Sequence, residues 1–119
     1  MTGYKGCVIA ESLVDPAVIN GLTVYRAFVS TPDRKIDEHG HTGRWHAYWV
    51  TCTAADIDNI QRLLKRGWYA HFWRATQILV VYSDRRFTIL AGDRSTWTDA
   101  VTYGRQQGIP NDELDFLTD

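Results

Sequence analysis

The stretch EHGHTGRWHAYWV, residues 38–50, holds three of the four histidines and two of the five tryptophans of this chain. Imidazoles bind metals, move protons or fill polar gaps in a core, and spacing separates these roles. His39, His41 and His46 form an HxHx4H string, which invites a metal reading. A tetrahedral site needs a fourth ligand and rigid support. His39 and His41 fall in a glycine-containing loop and no second ligand cluster follows, so no metal is expected.

His46 and His71 are the stronger candidates, because both sit in strand-like runs among aromatic residues, RWHAYWVTC and WYAHFWR. Surroundings of that kind disfavour the charged imidazole, and a neutral imidazole can serve as a general base. Side chains alternate along a strand. Arg44, His46, Tyr48, Val50 and Cys52 therefore share one face, opposite Trp45, Ala47, Trp49 and Thr51. The same rule groups Tyr69, His71 and Trp73 against Trp68, Ala70, Phe72 and Arg74. With one strand between them, His46 and His71 would lie about 10 Å apart. At that spacing they are expected to act as catalytic residues lining opposite ends of one small-molecule pocket, with Glu11, Tyr48, Trp49, Trp73 and Arg74 as ligand contacts. The alternative for each histidine is a satisfied structural role.

The elements that must position these groups are legible in outline. Residues 4–13, YKGCVIAESL, read as a first strand, and DPAVINGL carries a short helix signal with Asp15 as cap, Pro16 at the first position and Gly21 as stop. LTVYRAFVS, residues 22–30, is a second strand by alternation and β-branched content. Residues 31–43 form a polar loop near the upper length for a structureless connection. Residues 44–52 form the third strand. Thr53 then opens the clearest helix: Asp56 completes a capping pattern, Ile57, Ile60 and Leu64 recur on one face, and Gly67 supplies the stop. WYAHFWR, QILVVYS and RFTIL give three more strands as an antiparallel meander. A last helix begins near Ser95 or Thr96 and ends by Gly108. Residues 110–119 are an acidic tail with Leu114 and Phe116 as anchors.

This order predicts a single α+β domain over residues 1–119, with an antiparallel or mixed sheet and helices mainly on one face. It contains the split βαβ unit of ferredoxin-like folds, extended by a hairpin and a C-terminal helix.

Bulk properties narrow the function. Thirteen Lys and Arg against fourteen Asp and Glu give a net charge of −1. No global field then draws the chain to nucleic acid or an anionic membrane. KRGWYAHFWR interleaves cations with rings as single-strand binders do, yet Lys65 and Arg66 already suit a helix C-terminus, and nucleic acid is not expected as a partner. No apolar run approaches the ~20 residues that span a bilayer. The opening MTGYKGCVIA lacks signal-peptide character, so no membrane partner and a cytoplasmic setting are expected. The two cysteines, Cys7 and Cys52, each inside an apolar run, read as buried thiols. No P-loop, GxGxxG, GxSxG or HExxH is present, and no cofactor is expected.

YKGCVIAESL with DPAVINGL, then RWHAYWV, RGWYAHFWR and STWTDAVTYG ahead of IPNDELDF, together resemble an uncharacterised family of small bacterial single-domain proteins. The resemblance covers most of the chain outside residues 31–43. It implies a bacterial cytoplasmic setting and carries no activity. The topology is also similar to that of dimeric α+β barrel proteins, which pair sheets around a small-molecule pocket. Fold alone does not set function.

The leading expectation is thus a small-molecule-binding protein, with proton transfer or isomerisation as the chemistry its histidines would suit. The alternative is a protein-interaction or dimerisation module using an aromatic sheet face, and single-stranded nucleic-acid binding comes third. Excess aromatic surface on a one-sided sheet predicts a homodimer with Trp45, Trp49, Trp68 or Trp73 near its interface.

Overall fold

The structure, a computed structural model, describes residues 3–118. Six strands build one antiparallel sheet: β1 (Tyr4–Ile9), β2 (Thr23–Val29), β5 (His46–Cys52), β6 (Tyr69–Arg74), β7 (Gln77–Tyr82) and β8 (Arg86–Leu90), in the order β2-β5-β1-β6-β7-β8. Two-residue strands β3 (Arg34–Lys35) and β4 (Thr42–Gly43) pair separately. Two α-helices follow the expected signals, α1 (Ala54–Leu63) and α2 (Thr98–Gln106). Among the described residues no helix is long and apolar enough to cross a membrane.

Local chemistry explains the boundaries. Thr53 Oγ1 accepts from Asp56 N at 3.2 Å while Asp56 Oδ2 accepts from Thr53 N at 2.9 Å, a reciprocal cap that starts α1. Asp15 caps only a 3-10 segment, Pro16–Gly21, by accepting from Ala17 N. The first strand stops at Ile9, where Ala10–Ser12 turn into another 3-10 segment. Asp93 accepts from Ser95 N and caps a 3-10 segment, Arg94–Trp97, that runs into α2; the N-cap of α2 itself is Trp97, and not Ser95 or Thr96.

The expectation of helices mainly on one face needs correction. Ile57 and Ile60 of α1 pack over Val8, Val50, Phe72 and Val81 on one side of the sheet. Ala100 of α2, with Leu114 and Phe116 from the tail, packs over Trp73, Ile78, Val80, Tyr82 and Ile89 on the other. The reason lies in QILVVY: an unbroken apolar strand has no polar side to leave in water, so both faces must be covered. Gly6 makes room in the first of these layers, because a Cβ there would collide with the Phe72 ring.

Residues 31–43 are not structureless. Asp37 accepts from the backbone N–H groups of His39 and His41 at 2.9 and 3.1 Å, closing the β3–β4 hairpin. Trp45 Nε1 donates to the Lys35 carbonyl at 3.0 Å and ties that hairpin to the start of β5.

Candidate functional site

Register decides where the candidate histidines go. Cys7 on β1 is paired with Trp49 on β5 and with His71 on β6, so Trp49, Cys7 and His71 share the α2 face. His46, three positions from Trp49, falls on the α1 face. The two histidines are therefore divided by the sheet and cannot line one pocket. Tyr48 lies with His46 against the α1-side core. Arg74 lies over the Tyr4 ring, 4.4 Å from its centroid. On the other face Trp73 is buried and stacked on His71, with ring centroids 5.3 Å apart. Trp49 carries the Arg26 guanidinium at 4.6 Å.

Glu11 does meet His46. Its Oε1 accepts from His46 N at 2.6 Å, and its Oε2 lies 2.7 Å from His46 Nδ1. A carboxylate only accepts, so Nδ1 carries the proton and Nε2 of the neutral ring keeps its lone pair. The His46 side chain is 42% exposed, and it lines neither of the two spaces on the other face.

The concave site is on the α2 face, and of the sequence-selected residues only His71 reaches it. Since β5 and β6 both run antiparallel to β1, their N-terminal ends lie at the same edge of the sheet. Trp45 and Trp68, each just before its strand, meet there beyond the end of β1 with ring centroids 5.4 Å apart. Beneath them is a chamber of about 90 Å³ lined by Cys7, Ile9, Tyr69 and His71. Outside them is a compartment of about 460 Å³, walled by Lys35, Asp37 and Glu38 of the hairpin, Arg66, and residues 106–110. Trp45, Gly67, Trp68, Ile109 and Glu113 border both spaces, so the two form one recess.

Electrostatics differ between the two parts. Burial pushes His71 below its ordinary value, against weaker opposing pulls from the Leu117 carbonyl and Asp115. Its Nε2–H donates to Leu117 O at 2.7 Å, which assigns the tautomer and pins the tail. Burial also pushes the Cys7 thiol up to about 11, with Arg26 opposing. The thiol and the imidazole are thus both neutral, which suits an apolar chamber and not an activated thiolate. Tyr69, likewise raised by burial, donates its hydroxyl proton to the Glu113 carbonyl. At the neck, partial burial and Asp112 push the Glu113 carboxyl up, while Arg34 and Lys35 pull it down.

Other candidates stay outside the recess or apart from one another. His41 Nδ1 lies 2.5 Å from Asp37 Oδ2 at the hairpin tip, and that bond holds Asp37 below the usual carboxylate range. Among the described residues no group of three or more His, Cys, Asp or Glu is placed to hold a metal ion. In KRGWYAHFWR the rings of Phe72 and Trp73 are buried and Tyr69 is packed against Phe116, so the stretch does not present a row of open rings.

Sequence reasoning missed Glu113 altogether, since an acid in an acidic tail carries no distinguishing pattern. It placed Trp45 and Trp68 only among the tryptophans near a dimer interface. Their shared position, one residue ahead of two parallel strands, was the available signal. Fold and recess together define an α+β domain with an aromatic-necked pocket. No known family, curated protein or solved structure matches this chain.

Proposed function

We propose that this protein binds a small organic molecule in the recess necked by Trp45 and Trp68. The observation that carries the reading is a compartment of about 460 Å³ that shares five lining residues, Trp45 and Trp68 among them, with an apolar chamber of about 90 Å³. Ligand sites of ~300–1,000 Å³ combine such apolar depth with a few polar groups at the mouth. A library of fragments followed by tryptophan emission and amide shifts tests it. Saturable binders that shift residues 45 and 68, and that weaken at least tenfold in Trp68→Ala but not in Trp49→Phe, support the site. Binders indifferent to Trp68→Ala overturn it. His46 and His71 stand on opposite faces, so the reading assigns binding to the recess and no reaction that uses both.

The order β2-β5-β1-β6, with connections passing from β1 to β2 and from β5 to β6, supports a ferredoxin-like description of the core. The thiols of Cys7 and Cys52 are free, which fits a reducing compartment and supports a cytoplasmic setting.

A second reading, a homodimer, is favoured by the edge strand β2. Every residue of it is exposed, including Val24, Tyr25, Phe28 and Val29. Among the described residues β2 pairs only with β5 and carries one charge, Arg26, laid over Trp49; an edge with so many exposed apolar residues invites pairing, and this edge, more than the tryptophans, is where a second copy would add. Light scattering at micromolar concentration should give a dimer that Phe28→Lys returns to monomer. A monomer at all concentrations ends this reading.

A further inference from the structure

Glu113 stands at the neck of the recess, bordering the inner chamber and the outer compartment alike. Among the described residues its carboxylate has no hydrogen bond and no ion pair. The two cations that act on it do so from a distance. Arg34 instead places its guanidinium over the Trp45 ring, 5.3 Å from the centroid, and the Lys35 carbonyl holds Trp45 Nε1. A carboxylate drawn partly out of water without a partner is costly, and a cation beside it removes that cost. The faces of indole rings attract cations as well, and Trp45 shows this by holding Arg34.

The inner chamber supplies the other half of the specification. Ile9, Ile109, the neutral Cys7 thiol and the neutral His71 ring offer no charge to a guest. Its volume of about 90 Å³ compares with ~150 Å³ for a cavity that admits benzene, which leaves room for about three or four carbons.

We propose that the ligand of this recess is a small aliphatic amine, its cationic head seated between the Glu113 carboxylate and the Trp45 and Trp68 rings, its short tail in the chamber. The inference rests on the recess being a binding site. Lys35 and Arg66 on the outer wall make an anionic ligand the competing outcome.

The test compares n-butylamine and butyltrimethylammonium with butyrate and n-butanol, which carry unbranched tails of three or four carbons and differ in the head. Each is titrated into the intact protein and followed by amide shifts and tryptophan emission. The cations should shift residues 45, 68 and 113 and bind at least tenfold more tightly than butanol. Glu113→Gln should weaken the cations at least tenfold and leave butanol unchanged. If butyrate or butanol binds as well as the amines, or if Glu113→Gln changes nothing, the recess stands and the amine assignment falls. If none of the four compounds and no member of a broader fragment library shifts residues 45 and 68, the binding site itself falls and the amine with it.

Discussion

Glu11 holds His46 by two atoms at once, Oε1 on the backbone N–H at 2.6 Å and Oε2 against ring Nδ1 at 2.7 Å, on the sheet face opposite His71. The clasp ties the 3-10 segment after β1 to the first residue of β5. It satisfies a strand-end donor and sets the ring in one orientation.

Removing it should cost stability and change the tautomer. Glu11→Ala is expected to lower unfolding free energy by about 1–2 kcal/mol, the range for hydrogen bonds to a charged group that keeps some contact with water. Nitrogen-15 spectra of the imidazole should show the Nδ1–H form in the native chain and a shift toward Nε2–H in the variant. An unchanged urea midpoint and an unchanged tautomer would mean the clasp contributes nothing.

Burial of His71 ties stability to pH. Its folded-state value lies below the ordinary 6.5, so under about that pH the unfolded chain takes up a proton that the folded chain refuses. Stability is full above 6.5 and falls as pH drops toward the folded-state value, with a slope of up to about 1.4 kcal/mol per pH unit. Urea melts between pH 7.5 and 5 should show this excess slope relative to His71→Gln, whose amide still donates to Leu117. Parallel curves for the two proteins would disprove the linkage.

Ala75 turns β6 into β7 with φ of 54°, a conformation in which a Cβ is strained by ~1–2 kcal/mol. Glycine relieves the strain and loses some chain entropy. Ala75→Gly should therefore raise stability by about 0.5–1 kcal/mol in thermal or urea melts. A fall in the midpoint would show that the turn carries no strain.

The two cysteines lie on opposite faces, Cys52 in the core beneath α1 and Cys7 beside His71. Burial pushes Cys52 up to about 12 and Cys7 up to about 11. Iodoacetamide at pH 8 should label Cys7 roughly 100-fold and Cys52 roughly 1,000-fold more slowly than a free thiol, because only the thiolate reacts. Labelling in urea should be complete, and rapid labelling of the native chain would refute the assignment.

Patterns of short range determined much of this protein. The Thr53 to Asp56 cap, the Ile57 and Ile60 stripe, the alternation in TVYRAFV and HAYWVTC, and the run QILVVY place the long helix and three of the strands, since each depends on residues within one or two turns of chain. Alternation also separated His46 from Trp49, and His71 from Phe72. What alternation within a strand leaves open is the relation between strands. A one-residue slip carries a whole set of side chains to the other face, and here the pairing of Cys7 with both Trp49 and His71 put the two candidate histidines on opposite sides. Tertiary structure alone also brought Trp45 to Trp68 across the end of β1 and folded the tail back so that Glu113 stands beside them. Those contacts join residues distant in sequence through packing of whole layers, and no local periodicity encodes them.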